Sequence, residues 1–177
     1  MPTMQIILSG VGGQGLMLAG NLLGRAAVEF SGLQAVMTSV YGVETRGTFT
    51  KSDVLISSEE ITFPEVLAAD VVVALDEIAY KRYVANLAPG VLLIFDDNIP
   101  EQPSQAIQES YPISSTAKEL GNLAVANVVA LGILAAKTKV VSGEALQNAL
   151  RQEFASRPNL IELNLKALAR GEELALQ

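Results

Sequence analysis

The chain has 177 residues, enough for one domain with a sizeable core, and half of them are apolar. Its formal net charge is -7 and its basic residues are scattered, which argues against a nucleic-acid partner, because such partners select clustered Lys and Arg. Cysteine and histidine are both absent. Thiol nucleophiles, cysteine-bound iron–sulfur clusters and imidazole bases are therefore excluded within this chain, and zinc would have carboxylate ligands only.

The chain carries no pattern typical of a membrane protein or an exported protein. A transmembrane helix needs roughly 20 apolar residues, and the most apolar segment, 123–136, is shorter and contains Asn127 and Gly132. The first residues, 1–4, lack the charged region and apolar core of a signal peptide. We expect a cytoplasmic protein without a membrane partner, in which residues 1–177 form a single domain.

The most informative stretch is Gly-Val-Gly-Gly-Gln-Gly at positions 10–15, between an apolar run at 5–8 and a helical pattern that begins near Leu16. A strand, a glycine turn and a helix in this order make a phosphate-binding geometry. Gly10 permits the tight turn, Gly12 lets a backbone or a diphosphate approach, and Gly15 lets the helix pack close to the strand. The N–H groups of the helix N-terminus favour an anion. The alternative is a tight turn without a ligand.

The next elements are a helix from about 14 to 31 and a strand at 35–40. Gly20 and Gly24 are expected to let this helix lie close to the sheet, and Gly32 is placed to end it in the left-handed conformation. A NAD site needs an acidic residue at the end of the second strand, about 20 residues past the glycines. The sequence has Thr38 and Ser39 there instead. This counts against a dinucleotide enzyme.

A polar segment with both charge signs, 41–48, follows the second strand and contains Tyr41, Glu44, Arg46 and Gly47. It is expected at the edge where open α/β sheets bind ligands, and an NADP site would recruit its arginine. The alternative for Glu44 and Arg46 is a solvated ion pair of little energetic value. The strand at 52–57 follows too soon for a helical crossover, so we expect it to run antiparallel.

Further strands are predicted at 70–75, at 91–95 and around 111–113, with helices at 63–68, through Tyr80, from Thr116, around Asn127, at 143–154 and at 158–171. Residues 172–177 are expected to fray. The alternation predicts an α/β fold: a Rossmann-like, three-layer α/β/α architecture with a mostly parallel, mixed sheet.

Two further patterns have competing explanations. Asp76, Asp96 and Asp97 follow predicted strands; they match Mg²⁺ ligands, but we favour solvated loop carboxylates. Ser115 and Lys118, three positions apart, match a serine–lysine nucleophile pattern. The same stretch also matches a helix capping box formed by Thr116 and Glu119, which we favour.

Three stretches together resemble the gamma subunit of the 2-oxoacid:ferredoxin oxidoreductases, of pyruvate, 2-oxoglutarate, ketoisovalerate or indolepyruvate type. The first is the Gly-Gly-Gln-Gly of positions 12–15, and the second is Tyr-Gly-Val-Glu-Thr-Arg-Gly at 41–47, similar to the family's Tyr-Gly-x-Glu-x-Arg-Gly-Gly. The third is Leu-Gly-Asn at 120–122 with Asn127 and the Ala-Leu-Gly of 130–132. Thr48 stands where the family has its last glycine.

This resemblance implies an enzyme that decarboxylates a 2-oxoacid on thiamine diphosphate, passes electrons through iron–sulfur clusters to ferredoxin and releases an acyl-CoA. It implies that thiamine diphosphate, Mg and the clusters belong to partner alpha, beta and delta subunits, and that this chain holds no catalytic residue and no metal. It also implies that the chain helps to bind coenzyme A. The implied binding residues are Gly10, Gly12, Gly13, Gln14, Gly15, Tyr41, Glu44, Arg46 and Gly47.

Two other functions stay open at this point. One is a stand-alone NAD(P)- or flavin-binding enzyme, and the other is a purely structural interaction subunit whose glycines serve packing alone. The missing reactive side chains predict that the isolated chain is inactive. When it is isolated, it either stays alone or forms a homodimer through the surface meant for partners.

Overall fold

The computed structural model describes residues 1–41 and 47–177, which form a six-stranded sheet with helices on both faces. The strands are β1 Met4–Val11, β2 Gln34–Val40, β3 Phe49–Ser57, β4 Val71–Ala74, β5 Leu92–Asp96 and β6 Ile107–Tyr111. The helices are α1 Leu16–Ser31, α2 Glu77–Tyr83, α3 Ile113–Glu119, α4 Ala126–Thr138, α5 Gly143–Glu153 and α6 Pro158–Leu174. A 3-10 turn, Leu123–Val125, precedes α4.

The strand order is β2-β3-β1-β4-β5-β6. The pairs β1–β4, β4–β5 and β5–β6 are parallel, whereas β3 runs antiparallel to both of its neighbours, β1 and β2. The predicted α/β fold with a mostly parallel, mixed sheet is therefore confirmed, and so is the antiparallel third strand. The cause is the short 41–48 connection, which leaves no room for a crossover helix.

The two faces of the sheet are covered unequally. Buried residues of α1, α3, α4, α5 and α6 form the larger core on one face, and α2 supplies Ala79 and Tyr80 to the smaller core on the other. Helix α4 is buried along most of its length, from Asn127 to Ala135. A helix that is apolar all round needs neighbours all round, and α6 packs against it. Among the helices of the described ranges, none is long and apolar enough to cross a bilayer.

Three sequence predictions about helices are wrong, and long-range hydrogen bonds explain two of them. Segment 63–68 is not helical, because the Gln5 side chain on β1 accepts hydrogen bonds from the N–H groups of Leu67 and Ala68 at 2.8 and 3.2 Å. Helix α3 begins at Ile113 instead of Thr116, because the buried carboxylate of Asp96, at the end of β5, accepts a hydrogen bond from the N–H of Ser114 in the first turn. Helix α6 continues past the predicted end at 171 to Leu174, so residues 172–174 are helical.

The extension of α6 follows from close packing against α4. A Cβ atom at Gly132 of α4 would lie 2.3 Å from the carbonyl oxygen of Leu168, and one at Gly171 of α6 would lie 2.0 Å from the carbonyl oxygen of Val129. Both obstacles are backbone atoms, which cannot rotate away. The two glycines therefore set the distance between α4 and α6. Gly171 was expected to end the last helix, but it lies within α6 and packs against α4.

We predict that Gly132→Ala lowers the free energy of unfolding by about 2–3 kcal/mol, because it forces α4 and α6 apart. The matched control is Gly24→Ala in α1, where a Cβ would lie 4.0 Å from the Cβ of Ala35, an ordinary contact. That control is expected to raise stability by about 0.5–1 kcal/mol through helix propensity. Urea unfolding of both variants is the measurement, and equal effects would contradict the packing account.

Candidate functional site: the glycine loop and its clefts

The glycine loop joins the end of β1 to the start of α1. Gly13 and Gly15 have positive φ angles of 96° and 72°, a conformation that disfavours residues with a Cβ. Gly15 is the N-cap residue of α1, and no side chain caps this helix end among the described residues. The sequence thus produces the predicted strand–turn–helix unit, with the glycines where the backbone requires them.

The Gln14 side chain folds back across the loop. Its Oε1 accepts a hydrogen bond from the N–H of Val11 at 2.9 Å, and its Nε2 donates one to the carbonyl oxygen of Leu75 at 3.2 Å. A Cβ at Gly10 would lie 2.2 Å from that Oε1. Gly10 belongs to β1, so its role in the structure is to make room for Gln14 and not to form the tight turn.

The N–H groups of the loop fall into two sets. The N–H of Gly12 donates to the carbonyl oxygen of Thr48 at 3.0 Å and so ties the loop to the segment that enters β3. Within the described part of the chain, the N–H groups of Gly13, Gly15 and Leu16 have no hydrogen-bond partner. The N–H of Gln14 is engaged as well, by the carbonyl oxygen of Val11 at 3.3 Å. An anion would therefore find its loop donors at positions 13, 15 and 16.

Gly15 also makes room for α4. A Cβ there would lie 2.5 Å from the Nδ2 of Asn127, which donates to the carbonyl oxygen of Gly15 at 2.9 Å. The expectation that Gly15 permits close packing on the strand missed this contact. The signal in the sequence was a single amide side chain within the most apolar segment. The close approach of α1 to the sheet occurs further along, at Gly20, where a Cβ would lie 2.7 Å from the Sδ of Met37.

A cleft of about 500 Å³ opens beside the loop, on the side of β2 and β3. Its walls are Val11, Gly12, Gly13, Gly15, Leu16, Met17, Tyr41, Thr50, Lys51 and Ser52. Met17 lies in the first turn of α1, and the exposed Tyr41 donates its hydroxyl hydrogen to the Met17 sulfur at 2.7 Å. The cleft thus combines an uncapped helix end with a largely apolar wall, as ligand pockets commonly do.

A second cavity of about 260 Å³ lies on the other side of the loop. Gly13 lines both cavities, and Gln14 lines only the second. The remaining walls of the second cavity are Leu75, Ser114, Leu123, Ala124 and Ala126. This cavity lies near the ends of β1 and β4, where doubly wound folds place dinucleotides, and the Gln14 bridge occupies part of that space.

The nine sequence-predicted binding residues separate into groups. Four of them line the cleft: Gly12, Gly13, Gly15 and Tyr41. Gly10 and Gln14 shape the loop from within, and Gly47, with φ of 74°, lies next to Thr48. Glu44 and Arg46 lie outside the described residues.

The wall of the cleft also contains a residue that sequence reasoning missed. Lys51 extends from β3, and its Nζ lies 2.5 Å from the Oδ2 of Asp53. The other carboxylate oxygen of Asp53, Oδ1, is buried without a hydrogen-bond partner in the described structure. The carboxylate of Asp53 offsets most of the positive charge of Lys51, so a ligand in the cleft would feel only part of that charge. A lysine two positions before an aspartate on a strand was the available signal, because such residues share a face.

Two of the three carboxylates considered for Mg²⁺, Asp76 and Asp96, bind the first turn of a helix. Asp76 accepts the N–H of Ile78 at the start of α2. Asp96 is buried and accepts the N–H of Ser114 at 2.7 Å as well as the Ser114 hydroxyl hydrogen, so its interpretation as a solvated carboxylate is wrong. Asp97 is exposed, and two effects raise its pKa: slight desolvation is the larger, and the neighbouring carboxylate of Asp96 is the second.

The serine–lysine stretch is part of α3. The Ser115 hydroxyl donates to the carbonyl oxygen of Pro112 at 3.2 Å, one turn back. Thr116 is buried inside the helix, so the capping box expected there is wrong. The Ser115 hydroxyl therefore satisfies a backbone carbonyl at the start of α3, as serine side chains near helix ends commonly do.

The fold and the loop define a Rossmann-like α/β protein with a glycine loop between β1 and α1. A family model described as pyruvate ferredoxin/flavodoxin oxidoreductase matches residues 5–174. The 2-oxoglutarate synthase subunit KorC of Methanocaldococcus jannaschii is 37% identical over 176 residues, which cover 97% of this chain and 93% of that protein. The chain therefore belongs to the pyruvate ferredoxin/flavodoxin oxidoreductase family, as a gamma subunit of the 2-oxoacid:ferredoxin oxidoreductases.

Two solved structures support this assignment. The gamma subunit of a keto/oxoacid ferredoxin oxidoreductase from Geobacter sulfurreducens is 39% identical, with a TM-score of 0.84 and 98% of both chains covered. A 2-oxoglutarate:ferredoxin oxidoreductase from Magnetococcus marinus, determined with 2-oxoglutarate, coenzyme A and succinyl-CoA bound, is 27% identical with a TM-score of 0.89. The match covers 98% of this chain and 31% of that longer chain.

We predict that Gly10→Ala costs about 1–2 kcal/mol of stability, because the added Cβ displaces the Gln14 amide and breaks its two hydrogen bonds. In a Gln14→Ala background the same substitution is expected to cost nearly nothing, because the displaced group is absent. A double-mutant cycle by urea unfolding measures this coupling. Additive effects of the two substitutions would show that Gly10 serves some purpose other than seating Gln14.

Proposed function

We propose that this gamma subunit binds coenzyme A in the 500 Å³ cleft beside the glycine loop, during oxidative decarboxylation of a 2-oxoacid to an acyl-CoA. In this proposal the chain is a single domain and acts in the cytoplasm with alpha, beta and delta subunits. Those partners hold thiamine diphosphate, Mg and the iron–sulfur clusters, and ferredoxin accepts the electrons. The observation that carries the proposal is the uncapped N-terminus of α1 at the cleft.

The cleft has the chemistry that a diphosphate with a long apolar arm requires. The N–H groups of Gly13, Gly15 and Leu16, unpartnered among the described residues, suit the diphosphate together with the positive end of the α1 dipole. Met17 and Tyr41 supply apolar surface beside them. A volume of about 500 Å³ lies within the usual range for small-molecule sites. Coenzyme A bound to the Magnetococcus marinus relative agrees with this chemistry.

In this proposal the chain supplies no acid–base residue for the reaction itself. It contains no histidine and no cysteine, so proton transfer by imidazole and electron transfer through cysteine-bound clusters fall to other subunits. What this chain contributes is binding: it holds and orients the acceptor of the acyl group. Positioning of a reactant next to the reacting centre is a large part of catalysis in its own right.

The two alternative functions predict different features. A dinucleotide enzyme needs an acidic residue at the end of β2, where Ser39 and Val40 stand, and it needs the space that the Gln14 bridge occupies. A purely structural role explains Gly10 and Gly15, because Gln14 and Asn127 fill the space that a Cβ would take. The positive φ of 96° explains the glycine at position 13 in the same way, but a structural role leaves the N–H of Gly13 without a partner among the described residues.

We predict that Met17→Glu weakens coenzyme A binding about tenfold or more, because it places a carboxylate beside the proposed diphosphate. An acidic side chain in the first turn favours the helix dipole, so the fold itself is expected to be as stable or slightly more stable. Calorimetric titration of the assembled oxidoreductase with coenzyme A, NAD(P)H and FAD measures the affinity and the ligand preference.

Met17→Gln is the matched control, because it removes the same sulfur contact and adds no charge. It is expected to bind coenzyme A within about twofold of the unchanged chain. Equal loss in both variants would assign the effect to the missing Met17–Tyr41 contact, and preference for NAD(P)H or FAD would replace the proposal with a dinucleotide function.

We further propose that Arg46 contacts a phosphate of coenzyme A; the alternative is that Arg46 and Glu44 serve the contact with a partner subunit. Arg46→Ala is then expected to raise the KM for coenzyme A about tenfold in the assembled enzyme while kcat changes little, because a ground-state contact is lost. Arg170→Ala, at an exposed arginine of α6 paired with Glu173, is the control and should leave both constants unchanged. An unchanged KM for Arg46→Ala would remove that residue from the site.

A further inference from the structure

The connection from β3 to β4, residues 58–70, contains neither a helix nor a strand. Connections of this length without secondary structure are uncommon in compact domains, and many of them carry a function. Where β1 pairs with β3, Met4 lies opposite Ile56 and Val11 lies opposite Phe49. The connection therefore lies at the sheet edge where β1 begins, and the glycine loop with its cleft lies at the opposite edge.

Gln5 of β1 holds the second half of this connection in place. Its side-chain Oε1 accepts hydrogen bonds from the N–H groups of Leu67 and Ala68 at 2.8 and 3.2 Å. Its backbone N–H donates to the Oδ2 of Asp70 at 2.7 Å, and its carbonyl oxygen accepts the N–H of Asp70 at 2.8 Å. The connection thus presents its side chains in a preformed arrangement, which lowers the entropy cost of binding a partner.

Apolar and acidic side chains of this connection surround a groove of about 190 Å³. Phe63 and Leu67 are 50% and 76% exposed, so two large apolar side chains meet solvent a few positions apart. The volume is below the usual range for small-molecule sites, which favours a single side chain of another protein as the occupant. The apolar walls of the groove include Leu55, Ile61, Phe63 and Leu67, and its acidic walls are Glu60 and Glu65.

The charge of the connection selects the kind of side chain. Residues 58–70 include four acidic residues, Glu59, Glu60, Glu65 and Asp70, and no Lys or Arg. Within the ranges 1–41 and 47–177, none of the three glutamates forms an ion pair. Arginine and lysine combine an apolar stem with a cationic head, which matches a groove with apolar and acidic walls. The apolar walls favour such a side chain over a bare metal ion.

We propose that this groove binds an arginine or lysine side chain on the surface of another subunit of the oxidoreductase. The stem lies against Phe63 and Leu67, and the cationic head lies between the carboxylates of Glu60 and Glu65. The other subunits are those of the proposed function, on which this assignment rests. A two-fold contact of the groove with a second copy is disfavoured, because it would bring the acidic residues of both copies together.

Glu65→Lys and Leu67→Ser test the acidic and the apolar wall separately. Both side chains are exposed, and the N–H of Leu67 keeps its bond to Gln5 in the serine variant, so both variants are expected to fold. The matched controls are Glu101→Lys, at an exposed glutamate of another connection, and Leu176→Ser, where the side chain is 77% exposed. Thermal unfolding verifies the fold of all four variants.

The measurement is the affinity of the tagged chain for the other subunits of its oxidoreductase, at about 0.05 and 0.5 M salt. At low salt Glu65→Lys is expected to weaken the association about tenfold or more, and Leu67→Ser about fivefold, while both controls leave it unchanged. Salt is expected to weaken the complex of the unchanged chain more than that of Glu65→Lys, because the substitution removes an attraction that salt screens.

An unchanged chain that associates with no other subunit would overturn both this assignment and the proposed function. Association that neither variant weakens, that only one of them weakens, or that the controls weaken equally would overturn the assignment alone, because it requires both walls of this groove. Self-association of the chain that Leu67→Ser abolishes would also overturn it, since a second copy would then cover the groove.

Discussion

The Gln14 side chain is the contact on which the shape of the site depends. By bonding to the N–H of Val11 and the carbonyl oxygen of Leu75, it fixes the glycine loop to the ends of β1 and β4. Gly10 makes this possible by leaving the space that the amide occupies. With the loop held there, the N–H groups at positions 13, 15 and 16, which no described residue engages, mark the start of α1 next to the larger cleft. Because this partly buried amide satisfies two backbone groups at once, it restricts the movement of the loop.

The second constraint is the absence of cysteine and histidine from the sequence. A chain without cysteine and histidine has no thiol nucleophile, no cysteine ligand for a cluster and no imidazole base. This fits a gamma subunit of a 2-oxoacid:ferredoxin oxidoreductase. In the Magnetococcus marinus relative the matching unit is about a third of one longer chain, with 31% covered, so the same unit also occurs fused to other parts.

Local signals predicted most of the fold. The strand–glycine–helix order and the short 41–48 connection that makes β3 antiparallel both depend on neighbouring residues. What the sequence did not reveal are contacts between distant positions. Gln5 holds segment 63–68 out of a helix, and Asp96 starts α3 early. No periodicity or propensity encodes such pairs, because each exists only after the strands have assembled.

The binding site follows the same division. The glycines and Tyr41 were predictable from their motifs, whereas the roles of Gly10 and Gly15 depend on side chains that reach them from Gln14 and Asn127. The two cavities that share Gly13 also arise only from the assembled fold, since their walls come from separate elements. Motif spacing therefore located the loop, and three-dimensional packing decided which of its N–H groups stay available.

Titration of the ¹⁵N-labelled chain with coenzyme A, followed amide by amide, tests the central claim most directly. The account predicts that the resonances of Gly13, Gly15 and Leu16 shift strongly, while that of Gly12, bonded to Thr48, shifts little. Shifts confined to the second cavity around Ser114 and Leu123, or no shifts at all, would contradict it.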